Sequence, residues 1–194
     1  YLDNFSSRKR KKVRRERRRV QDQEIDVQVV HGHEAGERLL EVMADLYRAT
    51  FDKKWGYATL NLPFFRDLAA SMGEQLVLVF ARHAGKPVAG AIMLRGEHAL
   101  YGRHWGCLAD YNSLHFETCY YRAIDYCIEN GLQRFEAGAQ GEHKLSRGFL
   151  PSSTYSAHWL RHPEFYRAIS EFLEREQHGV EDYVDLLERH SPYK

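Results

Sequence analysis

The densest group of side chains able to do chemistry lies in one glycine-rich segment, residues 137–149. Gly138, Gly141 and Gly148 permit tight turns and expose backbone N–H groups, which can hold an oxyanion or a phosphate. Between the glycines the segment carries an amide, a carboxylate, an imidazole and two cations: Gln140, Glu142, His143, Lys144 and Arg147. These groups cover acid, base and anion-binding roles, although a solvated surface loop would have the same composition.

A second candidate is Glu117, near the start of a long predicted helix. On a helical wheel at 100° per residue, five polar residues form a solvent-facing stripe: His115, Thr118, Arg122, Asp125 and Glu129. Glu117 falls outside the stripe, on an apolar flank, where a carboxylate needs a partner or takes a raised pKa. Two interpretations stay open, a catalytic carboxylate and a buried ion pair with an arginine such as Arg103.

The third candidate is the end of a predicted strand, where Arg103, His104 and Trp105 follow one another. Alternation along a strand puts Arg103 and Trp105 on one face and His104 on the other. An arginine beside aromatic rings can hold a substrate phosphate or carboxylate. The same arginine can equally serve as the structural partner of Glu117.

Several chemistries are not supported by the sequence. The histidines, which include His31 and His33, have no spacing typical of a metal site, so we expect no metal. A nucleophile elbow, G-x-S-x-G, is absent. Three cysteines without a CxxC pattern argue against a disulfide framework and favour a reducing, cytoplasmic setting. No secretory signal and no membrane-spanning run of apolar residues is visible.

The elements that must position these residues follow from apolar periodicity and turn residues. We predict strands at 24–30, 76–81, 88–94, 99–105, 134–136 and 154–160, and helices at 37–50, 63–72, 112–130, 164–177 and 180–190. The short turns between the second, third and fourth strands predict an antiparallel meander. The small residues Ala89, Gly90 and Ala91 would let a helix or ligand approach the middle strand. The order indicates an α/β protein with a mixed sheet and flanking helices.

The net charge of +1 conceals a strong asymmetry. Residues 1–20 contain ten Lys and Arg against two acidic residues, and the rest of the chain carries a net charge of −7. Such a basic run can bind phosphates, or it can be a helix that leans on the acidic body.

Several motifs resemble the FemAB-like branch of the GNAT acyltransferase superfamily. The most specific are residues 114–121, LHFETCYY, and 135–144, FEAGAQGEHK; shorter matches are 46–50, LYRAT, 54–56, KWG, 87–91, PVAGA, and 101–106, YGRHWG. The likeness extends over nearly the whole chain and is to the C-terminal part of proteins with two GNAT-like halves. The chain begins at Tyr1 rather than Met, which is typical of a piece of a longer protein.

The resemblance implies a GNAT-like acyltransferase fold and transfer of an acyl or aminoacyl group to an amine. It implies a basic helical arm at 1–20, a GNAT-like domain at 21–194, an acyl-CoA or aminoacyl-tRNA donor, and a peptidoglycan-precursor acceptor. Glu117, Glu142 or His143 would be the base. Backbone N–H groups near Gly138–Gly141 would hold the oxyanion, and the remaining candidates would bind substrate: Arg103, His104, Trp105, Gln140, Lys144 and Arg147. One departure is residues 106–113, which lack the glycines of an acetyl-CoA loop. The alternative function is a non-catalytic module that binds a peptidoglycan precursor or RNA through its basic helix.

Overall fold

The computed structural model describes residues 1–52, 56–138 and 141–193. These residues fall into two compact units, one spanning residues 12–140 and the other made of residues 1–11 and 141–194. The Lys54-Trp55-Gly56 motif lies partly outside the described residues, and so do Ala139 and Gln140.

The first of these units is built on a five-stranded sheet in the order β1-β2-β3-β4-β5. Its strands are β1 (Ile25–His31), β2 (Leu76–His83), β3 (Lys86–Arg95), β4 (Ala99–Cys107) and β5 (Arg134–Glu136). Neighbouring strands are antiparallel from β1 to β4, whereas β5 runs parallel to β4. The predicted meander and the short strand at 134–136 are therefore confirmed.

Helices cover both faces of this sheet, as a mixed sheet requires. On one face lie α2 (Glu37–Asp52) and α3 (Leu62–Ser71), which pack Met43, Tyr47 and Phe65 against β2 and β3. The other face is covered by α4, a composite helix with α-helical Leu114–Phe116, π-helical Glu117–Tyr121 and α-helical Arg122–Glu129. Helix α1 (Ser7–Gln21) contributes Val20 to a cluster with Ile25 and Leu114.

The second unit joins the N-terminal residues to the C-terminal part of the chain. Phe5 is fully buried between the rings of Tyr1 and Tyr193, with ring centroids 5.1 and 5.0 Å away. The Tyr193 hydroxyl donates to the Gly148 carbonyl at 2.7 Å, and Ser6 N–H donates to the Pro192 carbonyl at 3.1 Å. The unit ends in α5 (Pro163–Glu188).

Two predictions for residues 150–190 are wrong. Residues 154–160 form no strand; Tyr155 and Trp159 are exposed by 93% and 80%, and no described strand pairs with them. An alternating pattern forms a strand only where a neighbouring strand supplies hydrogen bonds. The two helices predicted at 164–177 and 180–190 are one helix, α5, because Gly179 is tolerated inside a helix at a cost of about 1 kcal/mol.

Within the described ranges, no helix combines the length and apolar character needed to cross a bilayer.

Close packing of α2 on the sheet depends on small residues, as predicted for residues 89–91. A Cβ at Gly90 would come within 2.9 Å of the Met43 methyl carbon. A Cβ at Gly106 would overlap the backbone carbonyl of Leu46, and the Thr50 hydroxyl donates to the Trp105 carbonyl at 2.6 Å. The last turns of α2 therefore lie directly against β4.

We expect Gly106→Ala to lower the free energy of unfolding by about 3 kcal/mol, because the added methyl group must push α2 away from β4. Urea denaturation monitored by circular dichroism measures the effect. Gly36→Ala is the control, since a Cβ there meets nothing within 4 Å. Equal midpoints for the two variants would contradict the close approach.

Candidate functional site

The β4–β5 pairing is short and ends where the candidate site begins. Only three residue pairs join the two parallel strands, and the last is Tyr101 with Glu136. Beyond this pair β4 continues to Cys107, whereas the chain after β5 leaves the sheet through Ala137 and Gly138. The space between them is a cavity of about 190 Å³, which we name the β4–β5 cavity. It is lined by Ala91, Ile92, Met93, Gly102, Arg103, His104, Trp105, His115, Cys119, Tyr120, Ala137 and Gly138.

A β-bulge at the edge of this cavity changes the orientation of β4. The β3–β4 register passes from Met93 opposite Gly102 to Ile92 opposite His104, so Arg103 is the extra residue. A bulge leaves its extra residue without a partner across the ladder and bends the strand. The bulge therefore bends β4 at Arg103, on the wall of the cavity.

The side chains after the bulge point to opposite sides of the sheet. The His104 ring lies 4.9 Å from Tyr47 and 6.5 Å from Phe51, on the α2 side. The Trp105 ring lies 5.3 Å from His115, on the α4 side. The predicted alternation of His104 and Trp105 is correct, and Arg103 is exposed at the bulge. Burial, followed by the charge of Arg103, lowers the pKa of His104, so its imidazole is neutral at pH 7.

The α4 wall of the cavity is aromatic and carries a thiol. The His115 ring lies 5.3 Å from the Tyr120 ring, and the Phe116 and Tyr120 rings stack at 6.2 Å. Cys119 is half-buried there, whereas Cys127 is buried against the sheet and burial raises its pKa to about 11. All three cysteines lie within the described residues and none forms a disulfide. Among all the residues that the structure describes, no group of three or more His, Cys, Asp or Glu is arranged to hold a metal ion.

Glu117 forms an ion pair with α1 and is not among the residues that line the cavity. Its Oε1 accepts a hydrogen bond from Arg17 Nη2 at 3.0 Å, and the same nitrogen donates to Asp125 Oδ2 at 2.6 Å. Among the described residues, Glu117 Oε2 has no hydrogen-bond partner. Burial raises the pKa of Glu117, and the nearby Arg17 charge only partly opposes this shift. The predicted burial is correct, but the partner is Arg17 and not Arg103.

The prediction that a polar stripe of α4 faces solvent is also wrong in part. Thr118 is fully buried, and only Glu129 of the five stripe residues is exposed. One reason is the π-helical turn at residues 117–121, which adds a residue per turn and so rotates the faces that a regular wheel predicts. The other reason is α1, whose Glu16 accepts a hydrogen bond from the Tyr121 hydroxyl.

Sequence reasoning missed these α1 partners, although a signal was present. Glu16 is the single acidic residue within the basic run 8–19. It lies at helical spacings of three and four from Val13 and Val20, and all three are buried. A lone carboxylate aligned with two valines indicates the face of a basic helix that docks on protein.

The candidates of the glycine-rich segment from Gly141 onward belong to the other unit. Gln140 and the side chain of Glu142 lie outside what the structure describes. Residues Glu142–Arg147 form a 3₁₀ helix preceded by Gly141. Arg147 is buried, and its Nη1 donates to the His143 carbonyl at 2.7 Å and to Ser146 Oγ at 3.2 Å. His143 is exposed and Lys144 is half-buried. Burial and the charges of Arg147 and Lys144 lower the pKa of His143.

The structure thus brings Arg103, His104, Trp105 and Gly138 together around one cavity. A cleft shared by Glu117 and residues 138–147 stays a prediction, as do the roles of Glu142, His143, Lys144 and Arg147.

We expect Arg17→Met to lower the free energy of unfolding by about 2–3 kcal/mol at pH 7, because it leaves Glu117 buried without its cation. Since the pKa of Glu117 is raised, protonation favours the folded state, and the loss should shrink as pH falls through that pKa. Denaturant titrations at pH 7 and at about pH 4.5 measure both effects. Arg18→Met, at an exposed position of α1, is the control. A loss that is the same at both pH values would contradict this account.

Among the solved structures that are similar to this chain, three illustrate the shared fold. L-PGS from Bacillus licheniformis has a TM-score of 0.55 and 13% identity, covering 71% of this chain and 44% of that chain. FemX has a TM-score of 0.52 and 12% identity, covering 69% and 48%. The C-terminal domain of a putative lysylphosphatidylglycerol synthetase from Agrobacterium fabrum has a TM-score of 0.52 and 15% identity, covering 69% and 43%.

This chain spans less than half the length of each of these proteins, and at such identities the likeness concerns the fold alone. The predicted mixed sheet with an antiparallel meander and flanking helices is confirmed. We found no match among curated protein sequences. The sequence model of the FemAB-like family matches residues 1–194, and the description of this family is peptidoglycan biosynthesis or recognition. The chain is a member of the FemAB-like family.

Proposed function

We propose that this chain is an N-acyltransferase domain of Fem type, which transfers an acyl or aminoacyl group to an amine of a peptidoglycan precursor. The observation that carries the proposal is the β4–β5 cavity. Its bulged strand, its two imidazoles and its exposed arginine converge where two parallel strands diverge. Ligand sites in sheets with parallel strands commonly lie where neighbouring chain segments separate.

The chemistry of this transfer needs a polarised acyl carbonyl and a neutral amine. The amine nitrogen attacks the carbonyl carbon, and the tetrahedral intermediate expels the donor's thiol or ribose oxygen, which takes up the proton that the amine loses. The backbone at Arg103 is suited to hold the oxyanion in this proposal, because Arg103 has no opposite residue in the β3–β4 register and lines the cavity. The exposed Arg103 guanidinium is suited to a donor phosphate.

An imidazole in this cavity is proposed to accept the proton from the amine and to pass it to the leaving group. His104 and His115 both line the cavity, and the lowered pKa of His104 keeps it in the neutral form that accepts a proton. Glu117 serves a different purpose in the proposal, since its carboxylate holds α1 on α4 through Arg17. The donor is an acyl-CoA or an aminoacyl-tRNA. Residues 106–113 lack the glycine pattern of an acetyl-CoA-binding loop, which favours an aminoacyl-tRNA donor.

We expect Cys119→Trp to abolish donor binding and transfer, because the indole would fill much of a 190 Å³ cavity that Cys119 lines. The assay follows transfer of label from acyl-CoA or aminoacyl-tRNA to a muropeptide precursor with a free amine. Ile128→Trp is the matched control, since Ile128 lies on the same helix but is 60% exposed. Full transfer by the Cys119 variant, or no transfer by the unchanged chain with any donor, would refute the proposal.

A second candidate function is a non-catalytic module that binds a polyanion such as RNA through α1. Its support is the basic face of α1, a set of exposed cations at helical spacing: Arg8, Lys11, Arg14, Arg15, Arg18 and Arg19. The buried face of the helix is formed by Val13, Glu16 and Val20, so these cations point away from it.

The division of the chain into an arm and a domain at residue 20 stays a prediction, and so does the cytoplasmic setting.

We expect the triple change of Arg14, Arg15 and Arg18 to Glu to weaken binding of a folded RNA at least about tenfold. The dependence of affinity on salt should fall as well, because fewer counterions are released on binding. Fluorescence anisotropy across a salt series measures both quantities. The control changes three exposed arginines outside α1 to Glu: Arg161, Arg167 and Arg175. Equal losses in the two triple variants would show that only net charge matters.

A further inference from the structure

The longest helix of the chain, α5, is exposed along its whole length. It spans 26 residues, Pro163–Glu188, and none of them is buried. Isolated helices are marginally stable in water, and most helical stability in proteins comes from burying an apolar face. A helix of this length with such a face therefore calls for a partner that covers it.

The apolar side chains of α5 form a single stripe. Tyr166, Leu173, Val180 and Leu187 recur every seven residues, with Ile169 and Tyr183 at the intervening positions of a heptad. Eight large apolar residues of α5 are exposed by 39% to 64%, and four of them are aromatic: Phe165, Tyr166, Phe172 and Tyr183. The stripe covers somewhat less than half of the helix circumference at 100° per residue.

The acidic charge of α5 argues against a membrane surface as the partner that covers its apolar stripe. Helix α5 carries eight acidic residues and two arginines, Arg167 and Arg175. Helices that lie on bilayers are typically rich in Lys and Arg on the polar face, because cell membranes are anionic. An acidic helix with a wide apolar stripe fits a protein surface instead.

A second copy of α5 matches the stripe in charge placement and in area. On the helical wheel every charged residue lies outside the stripe except Glu176, so acidic side chains do not face each other along most of the pair. Aromatic side chains bury about 150–250 Å² each, and together with the aliphatic residues two half-exposed stripes bring together roughly 1,200 Å². Specific interfaces begin at about this size.

The distribution of residues along α5 selects an antiparallel arrangement. The stripe has an aromatic block, residues 165–173, and a smaller block, residues 180–187, separated by Glu176 and Gly179. A two-fold axis near Glu176 places the aromatic block of one copy on the smaller block of the other. Helix dipoles then oppose each other, and residues 180–188 of the two copies, which carry four carboxylates and no Lys or Arg, stay apart.

We infer that two copies of this chain associate through an antiparallel pair of α5 helices that buries the stripe. This interface is independent of the proposed acyl transfer, since none of the residues that line the β4–β5 cavity lies on α5.

The first test is sedimentation velocity of the 194-residue chain between about 1 and 100 µM. We expect a dimer that Phe172→Asp dissociates, with a dissociation constant at least tenfold higher. His178→Asp places the same residue on the charged face of the same helix and should leave the dimer intact. A monomer at all concentrations would overturn the inference, as would a monomer that binds phosphatidylcholine vesicles. Equal weakening by the two substitutions would also overturn it.

Disulfide trapping tests the orientation. In an antiparallel pair centred at Glu176, position 169 of one copy faces position 183 of the other. Ile169→Cys combined with Tyr183→Cys should therefore form an oxidised dimer on a non-reducing gel. The chain with only its three native cysteines is the blank, and Ile169→Cys alone should match it. Efficient cross-linking by Ile169→Cys alone would place equal positions together and overturn the antiparallel arrangement.

Discussion

Strand β4 pairs along its length with β3 but with only three residues of β5. Parallel strands that continue together bury their backbone groups in a closed ladder, whereas strands that separate leave backbone and side chains facing a gap. The bulge at Arg103 enlarges this effect, because it bends β4 at the point where β5 ends. The candidate site depends on this short pairing, since the β4–β5 cavity exists only where the two segments diverge.

The walls of the cavity are held by packing on both sides of the sheet. On one side, Gly106 lets the end of α2 lie against β4, and the Thr50 hydroxyl ties the two together at the Trp105 carbonyl. This contact keeps His104 beside Tyr47, in the environment that lowers its pKa. On the other side, α4 supplies His115 from its first turn and Cys119 and Tyr120 from its π-helical turn, a feature often found at functional sites.

Helix α1 adds an electrostatic constraint to α4. Buried Glu117 and half-buried Asp125 share a single guanidinium from Arg17, while Glu16 of α1 accepts from Tyr121. Removing charges from water is costly, so such a network adds little net stability but strongly favours one arrangement of its two helices. The exposed cations of α1, among them Arg14, Arg15 and Arg18, lie outside this contact, and the same helix therefore offers a protein-facing side and a basic face.

The sequence by itself determined the regular elements whose patterns are local. The strands from residue 76 to 107 follow from apolar runs and short turns, and the long helix after Ser113 follows from its periodicity. The mixed sheet then followed from their order, whereas the family resemblance rested on separate sequence motifs. Three findings needed the tertiary structure. Residues 154–160 have the alternation of a strand but no neighbour that pairs with them. The partner of Glu117 lies 100 residues away in α1, and no local pattern specifies such a contact. The β4–β5 cavity arises from the geometry between two strands, whose separation depends on a bulge and on helices packed on both faces. Local patterns determine which residues can form an element, whereas pairing and burial decide which elements form and which side chains meet.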